Sequence, residues 1–158
     1  MEEKEFFSLL GQFNELKKNE NPETPILIAG RIPSFEPKKS DMLLNSLETI
    51  RSNYHFSGRR EYIESAEDFL ADEITAEEFL FDFMAIYEAI EQEVDQMERD
   101  ESLELVNFLK PEKSMAISQS EIRNLLSKTY GTCDVFEPAI SDEKELKECA
   151  QILILKLT

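Results

Sequence analysis

Hydrophobic residues recur at steps of three and four along most of the chain, the spacing that gathers them on one face of an α-helix. The pattern predicts a first helix from Glu3 to Lys18 and a second that begins at a Ser40 N-cap and continues through Ile50. Between them, the apolar run at 25–30 is either a short strand or a buried extended segment.

Four more helices are predicted after Gly58, where the composition becomes much more acidic. Thr75 and Ser118 each precede a Glu by three residues, the capping-box pattern of a helix start. A Gly131 C-cap and a Ser141 N-cap are expected to bound the loop that precedes the last helix. The predicted ranges are Arg59–Ala71, a long helix from Thr75 that continues as far as Leu109, a short helix from Ser118, and a last helix from Ser141.

These elements predict an all-α protein. Residues 59–158 are expected to form an antiparallel four-helix bundle. Residues 1–58 are interpreted as an N-terminal accessory extension of helices and one extended segment. Three roles are open for this extension: completing the bundle core, dimerising, or docking the protein onto another complex.

The negative charge of the chain indicates which class of molecule it could bind. The chain has a net charge of -17, and residues 61–104 contain 17 acidic residues and one basic residue, Arg99. Such a field repels nucleic acid and anionic membranes and attracts basic proteins or metal cations. Helix surfaces usually alternate charge sign to gain about 0.2–0.5 kcal/mol per pair. The absence of Lys and Arg from most of this segment therefore favours a basic partner over a merely solvated surface.

Residues suited to catalysis or cofactor binding are sparse. His55, the only histidine, is expected at the surface, and Cys133 and Cys149 are expected to pack as small hydrophobes, with Cys133 partly exposed in a loop. No Glu-x-x-His pair, EF-hand loop or glycine-rich phosphate loop occurs. We therefore expect a protein that is not an enzyme and has no cofactor, although a carboxylate metal site within the bundle stays a weaker hypothesis.

Localisation follows from what the sequence lacks. The first residues have neither the basic nor the apolar region of a signal peptide, and no apolar run reaches the length of a membrane span. Two cysteines are too few for a disulfide framework. A cytoplasmic protein is the expectation.

Two short stretches resemble a known family. Residues 62–79 (Tyr-Ile-Glu-Ser-Ala-Glu-Asp-Phe-Leu-Ala-Asp-Glu-Ile-Thr-Ala-Glu-Glu-Phe) and residues 133–138 (Cys-Asp-Val-Phe-Glu-Pro) resemble elements of the colicin D immunity proteins and of their colicin-like, self-protective relatives. The two elements occur in the same order as in that family. The resemblance covers about residues 60–158.

The resemblance implies an immunity protein that blocks the basic active-site cleft of a cognate tRNA-cleaving nuclease toxin. Carboxylates then take the place of RNA phosphates, and the acidic stretch 61–104 mainly attracts the partner. The residues implied in partner binding are Asp134, Phe136, Glu137, Asp142, Glu143 and Glu145. Ala139 departs from the family, which tends to have an acid after the proline. The alternative is an acidic, non-enzymatic interaction or regulatory subunit of the same fold that docks on a basic partner in a larger assembly. The oligomeric state is open.

Overall fold

The computed structural model describes residues 1–19 and 27–158, and it is all-helical, as predicted. Seven helices account for 74% of these described residues, and no strand forms among them. The bounds are α1 Glu3–Asn19, α2 Pro37–Ser57, α3 Arg59–Leu70, α4 Ala76–Arg99, a 3-10 helix Leu103–Phe108, α5 Gln119–Val135 and α6 Glu143–Leu157.

The start of α2 differs from the prediction. The helix begins at Pro37, whose fixed φ and missing amide hydrogen suit a first helical turn. Ser40 is therefore inside α2, fully buried, and its hydroxyl accepts a hydrogen bond from the amide of Ile32 at 2.9 Å. The Ser40 N-cap prediction was wrong because the helix begins three residues earlier and this hydroxyl bonds Ile32, in the segment that leads into α2.

The apolar run at 25–30 lies partly outside the described residues, which begin again at Leu27. From there the chain makes a tight turn that a single antiparallel bridge closes between Ile28 and Arg31. Ala29 and Gly30 occupy the turn with positive φ angles of 52° and 75°. No strand forms over 27–31.

Helix α4 ends at Arg99, ten residues before the limit expected from the sequence. The amide of Ser102 donates to the carbonyl of Met97 at 3.0 Å, and the amide of Glu101 donates to Glu98 at 3.2 Å. Together with the left-handed φ of 48° at Glu101, these bonds form a Schellman C-cap. Helix α3 ends in the same way, with Asp72 at a φ of 59°.

The chain divides into two compact units, each built from two segments. The first unit comprises Met1–Arg51 and Val94–Lys110, and the second comprises Ser52–Glu93 and Pro111–Thr158. Helices α2 and α4 contribute residues to both. The division predicted from the sequence is of a different kind, since it separates two contiguous domains, 1–58 and 59–158. It stays a prediction.

The first unit buries an ion pair as well as apolar side chains. Glu98 is buried, and both of its carboxylate oxygens lie 3.2 Å from the guanidinium of Arg51. Arg51 also bonds Asp95, and Asn14 donates to the backbone carbonyl of Glu98 at 2.9 Å. Burial raises the pKa of Glu98, while the charge of Arg51 opposes that shift. The apolar core around them consists of Phe6, Leu9, Leu10, Phe13, Ile32, Leu43, Leu47, Ile50, Val94 and Leu105.

Aromatic contacts join α3 to α4 in the second unit. Phe69 stacks on Phe79 with ring centroids 4.8 Å apart, and Tyr62 lies 5.1 Å from Phe83. Such pairs contribute about 0.5–1.5 kcal/mol beyond the area they bury. Helices α5 and α6 add the buried residues Ile122, Leu126, Cys133, Leu146, Ala150, Leu153 and Leu157 to the same core.

The buried carboxyl of Glu98 predicts a pH-dependent stability. Because its folded-state pKa is raised, its contribution to stability is fully present below the unfolded-state pKa and is lost as the pH rises through the folded-state value. Relative to Glu98→Gln, the wild-type protein should therefore gain free energy of unfolding as the pH is lowered from about 7 to about 4.5, the ordinary pKa of a glutamate. Urea unfolding of both proteins at the two pH values measures this. A wild-type-minus-variant difference that is the same at both would contradict it.

Candidate protein-binding surface

The predicted partner-binding residues lie where α5 ends and α6 begins, within the second unit. A short closed loop connects the two helices. The amide of Glu137 donates to the hydroxyl of Ser141 at 2.9 Å, and the amide of Ser141 donates back to the carbonyl of Glu137 at 2.8 Å. This exchange fixes the backbone of Glu137 and the spacing between the two helix ends.

Helix α5 is longer than the sequence suggested. It passes through Gly131, which is not a C-cap, and ends at Val135, where the amide of Phe136 bonds the carbonyl of Cys133. The C-cap prediction was wrong because the buried stripe of α5 continues to Cys133, beyond the glycine that suggested a stop. Asp134 therefore lies in the last helical turn, not in a loop.

Two exposed apolar side chains lie beside the predicted acids. Val135 is 73% exposed and Ile140 is 78% exposed, whereas Phe136 is only partly exposed and packs against the core. Neither Val135 nor Ile140 is among the partner-binding residues predicted from the sequence. The exposure of Val135 could have been predicted from the sequence, because this β-branched, apolar residue does not lie on the buried face of α5.

A groove separates the end of α5 from the start of α6. It has a volume of about 510 Å³, and Val135 and Phe136 line one side while Glu145 and Glu148 line the other. Asp142 also lines this groove, as does Lys144. Glu143 lies with Lys147 and Gln151 along a different depression of α6. Of the predicted residues, the groove thus gathers Phe136, Asp142 and Glu145.

The local field at this surface is negative. The last turn of α5 carries Asp134 and no basic residue, so a carboxylate lies at the negative end of the helix dipole. A hydrogen bond to Glu88 raises the pKa of Tyr130, and the charge of Asp134 adds to that shift. Within the residues described, no ion pair compensates Asp134 or Glu137, so this end of α5 favours an incoming cation.

Asp142, rather than Ser141, caps α6. One carboxylate oxygen of Asp142 accepts from the amide of Lys144 at 3.0 Å. The Ser141 prediction was wrong because that hydroxyl is bonded to Glu137. Asp142 therefore stabilises the helix start and has only part of its hydrogen-bonding capacity left for a partner.

Several carboxylates of the acidic stretch 61–104 are used inside the second unit. Glu88 accepts from the hydroxyl of Tyr130 at 2.8 Å, and Glu93 accepts from that of Tyr54 at 2.5 Å. Asp82 accepts from Ser65 at 3.3 Å. These contacts tie α4 to other helices, so the stretch is partly structural and not uniformly a binding face.

His55 is buried, which corrects the expectation of a surface histidine. Its Nδ1 lies 2.9 Å from the hydroxyl of Tyr62, its Nε2 lies 3.2 Å from a carboxylate oxygen of Glu91, and its ring stacks on Tyr87. Burial raises the pKa of Tyr62, so its hydroxyl stays protonated. Both ring nitrogens are therefore occupied by partners from α3 and α4.

The thiols are also placed for packing. Cys133 is buried in α5, not exposed in a loop, and burial together with nearby Cys149 raises the pKa of its thiol to about 12. Nucleophilic cysteines need the opposite shift of the pKa.

Among the described residues, no three His, Cys, Asp or Glu side chains are grouped as metal ligands would be. None of the helices described combines the length and apolar character that a membrane crossing requires.

Comparison with protein-family models, with curated proteins and with solved structures found no match for this chain. The resemblance to colicin D immunity proteins stays a prediction from the sequence.

Opposite stability effects are expected at the two helix ends of this surface. Asp134→Asn removes a charge from the negative end of α5 and should stabilise the free protein by about 0.3–1 kcal/mol. Asp142→Ala removes an N-cap and should destabilise it by about 1 kcal/mol. Denaturant unfolding at low salt measures both. The assignment of the helix ends is wrong if Ser141→Ala has the larger capping effect or if Asp134→Asn destabilises the protein.

Proposed function

We propose that this chain is an immunity protein that binds and blocks the basic active-site cleft of a tRNA-cleaving nuclease toxin. The observation that carries the proposal is the surface at the end of α5 and the start of α6. There, uncompensated Asp134 and Glu137 adjoin the exposed side chains of Val135 and Ile140. An apolar centre beside charged groups is typical of a protein-binding surface.

Chemical complementarity supports a nuclease as the partner. A cleft that binds RNA phosphates is cationic, and carboxylates held on a fixed loop can occupy the positions of those phosphates. The bonds between Glu137 and Ser141 pre-organise this loop, which lowers the ordering cost of binding. Val135 and Ile140 would supply apolar contact that RNA itself lacks.

The proposal includes an antiparallel four-helix arrangement of α3 to α6. In its support, one core contains residues from all four helices. Tyr62 contacts Phe83 while Phe69 contacts Phe79, so sequence order along α3 runs opposite to that along α4. The loop between α5 and α6 would then be presented at one end of the bundle.

A binding measurement against the nuclease domain encoded beside this chain tests the function. Wild-type protein should inhibit tRNA cleavage, with an affinity that falls as salt is raised. Asp134→Ala with Glu137→Ala should weaken binding by about 2 kcal/mol or more if the pair is central to the interface. Glu2→Ala with Glu3→Ala removes the same charge from the first unit and should have little effect.

The possible outcomes separate the function from the assigned site. Absence of inhibition would refute the immunity function. If the Asp134 and Glu137 double variant and the Glu2 and Glu3 double variant weaken inhibition equally, then total charge, and not this surface, mediates binding.

An acidic interaction or regulatory subunit of a larger assembly is the second candidate. The observation that favours it is that the first unit has its own apolar core and a groove of about 950 Å³, bordered by residues 1–4, 45, 46, 49, 106, 107, 109 and 110. An immunity function assigns that unit no role. A gene for this chain that lies in an unrelated operon, together with loss of complex formation on substituting Asn45 and Asn107, would favour this candidate.

A further inference from the structure

The outer side of α4 in the second unit presents an aromatic ring to solvent. Phe81 is 61% exposed, although its helix neighbours Phe79 and Phe83 are buried. Phe81, Ala85 and Ala89 follow one another at steps of four, so they form a line along the exposed side of the helix. We call Phe81, Ala85, Ala89, Glu77 and Glu78 the α4 face.

The shape of the α4 face suits a helical partner. Ala85 and Ala89 are exposed and have the smallest side chains that still favour a helix, so another helix can approach the backbone closely there. Phe81 projects at one end of this flat line. A large apolar side chain beside small ones is the arrangement that anchors a docked helix.

Charge determines which partner fits. Glu77 and Glu78 lie one turn before Phe81, and no basic residue occurs in α4 before Arg99, which bonds Gln96. No ion pair joins the carboxylate of Glu77 or Glu78 to any residue that the structure describes. A second copy of this chain would place like charges opposite one another, and nucleic acid or an anionic membrane would be repelled.

The chain itself shows how its phenylalanines accept cations. Lys17 lies 4.2 Å from the ring centroid of Phe13, and Arg59 lies 4.2 Å from that of Phe56. Phe81 has the same kind of ring and adjacent carboxylates, but no cation among the described residues lies over it. A cation from outside would gain both the ring face and the carboxylates.

We propose that the α4 face binds a cationic, amphipathic helix of a second protein, with an Arg or Lys of that helix stacked on Phe81 and paired with Glu77 or Glu78. The site is distinct in its residues from the surface at Asp134 and Glu137 and does not depend on the immunity function. It gives the acidic stretch 61–104 a contact role in addition to a steering role.

The absence of tryptophan from the chain allows a direct test with two single-indole variants. Phe81→Trp places the only indole on the α4 face, and Leu155→Trp places it instead at an exposed position of α6. The probe is a synthetic peptide of Leu and Arg, about 18 residues long, with an apolar and a cationic face. A Leu–Glu peptide of the same pattern is its control.

Fluorescence of the two variants should differ in their response to these peptides. Only the Leu–Arg peptide should shift the emission of the Phe81→Trp variant to the blue and protect its indole from acrylamide. The indole of the Leu155→Trp variant should respond to neither peptide, because it lies outside the α4 face.

Matched substitutions separate a site from general charge attraction. Phe81→Ser and, separately, Glu77→Gln with Glu78→Gln should each weaken peptide binding by about tenfold or more, measured by calorimetry. Glu2→Gln with Glu3→Gln removes equal charge and should change affinity less than about twofold, as should Asp134→Ala with Glu137→Ala.

The proposal is overturned if the Leu155→Trp variant responds as strongly as the Phe81→Trp variant, if Phe81→Ser binds like the wild type, or if the two charge-matched Gln pairs weaken binding equally. Sedimentation showing a dimer that Phe81→Ser dissociates would assign the α4 face to a second copy instead. Because the Asp134 and Glu137 variant is part of the comparison, failure here is distinguishable from failure of the immunity function.

Discussion

The second unit depends on aromatic contacts that hold α3 and α4 together against their own charge. Within the second unit the two helices contain ten acidic and two basic residues, so the electrostatic interaction between them is unfavourable. The stacked pair Phe69–Phe79 and the contact of Tyr62 with Phe83 supply apolar burial on the facing sides. Acidity can therefore accumulate on the outer sides of these helices because stability comes from the inner sides.

The acidic residues fall into two groups, according to whether their carboxylates have partners within the protein. Those near polar side chains are used internally: Glu91 bonds His55 and Glu88 bonds Tyr130. Carboxylates such as Asp134 and Glu77 lie beside exposed apolar groups and have no ion-pair partner among the described residues. The surface acids that matter for binding are therefore recognised by what lies next to them, not by their number.

The sequence predicted the long amphipathic helices well, because the spacing of Phe, Leu and Ile records directly which face is buried. The Thr75 and Ser118 caps were also correct, since each hydroxyl accepts from the amide three residues on. Helix ends that depend on other contacts could not be predicted: Ser40 and Ser141 carry good N-cap side chains, but their hydroxyls bond Ile32 and Glu137 instead.

The candidate site was only partly predictable for a similar reason. Asp134 and Glu137 followed from a short resemblance, whereas the exposure of Val135 and Ile140 depends on how α5 packs. The burial of His55 was also beyond the sequence, because its partners Tyr62 and Glu91 lie 7 and 36 residues further along the chain.

The two left-handed helix ends have a consequence for how such a protein can change over generations. Asp72 and Glu101 occupy backbone conformations that glycine adopts at less cost, so both positions retain a carboxylate where the backbone would favour its loss. Replacement by glycine at either would relax the backbone while reducing the negative charge. Net charge and backbone strain are therefore coupled at both positions, and at Asp72 the same replacement would also remove the ion pair with Lys147.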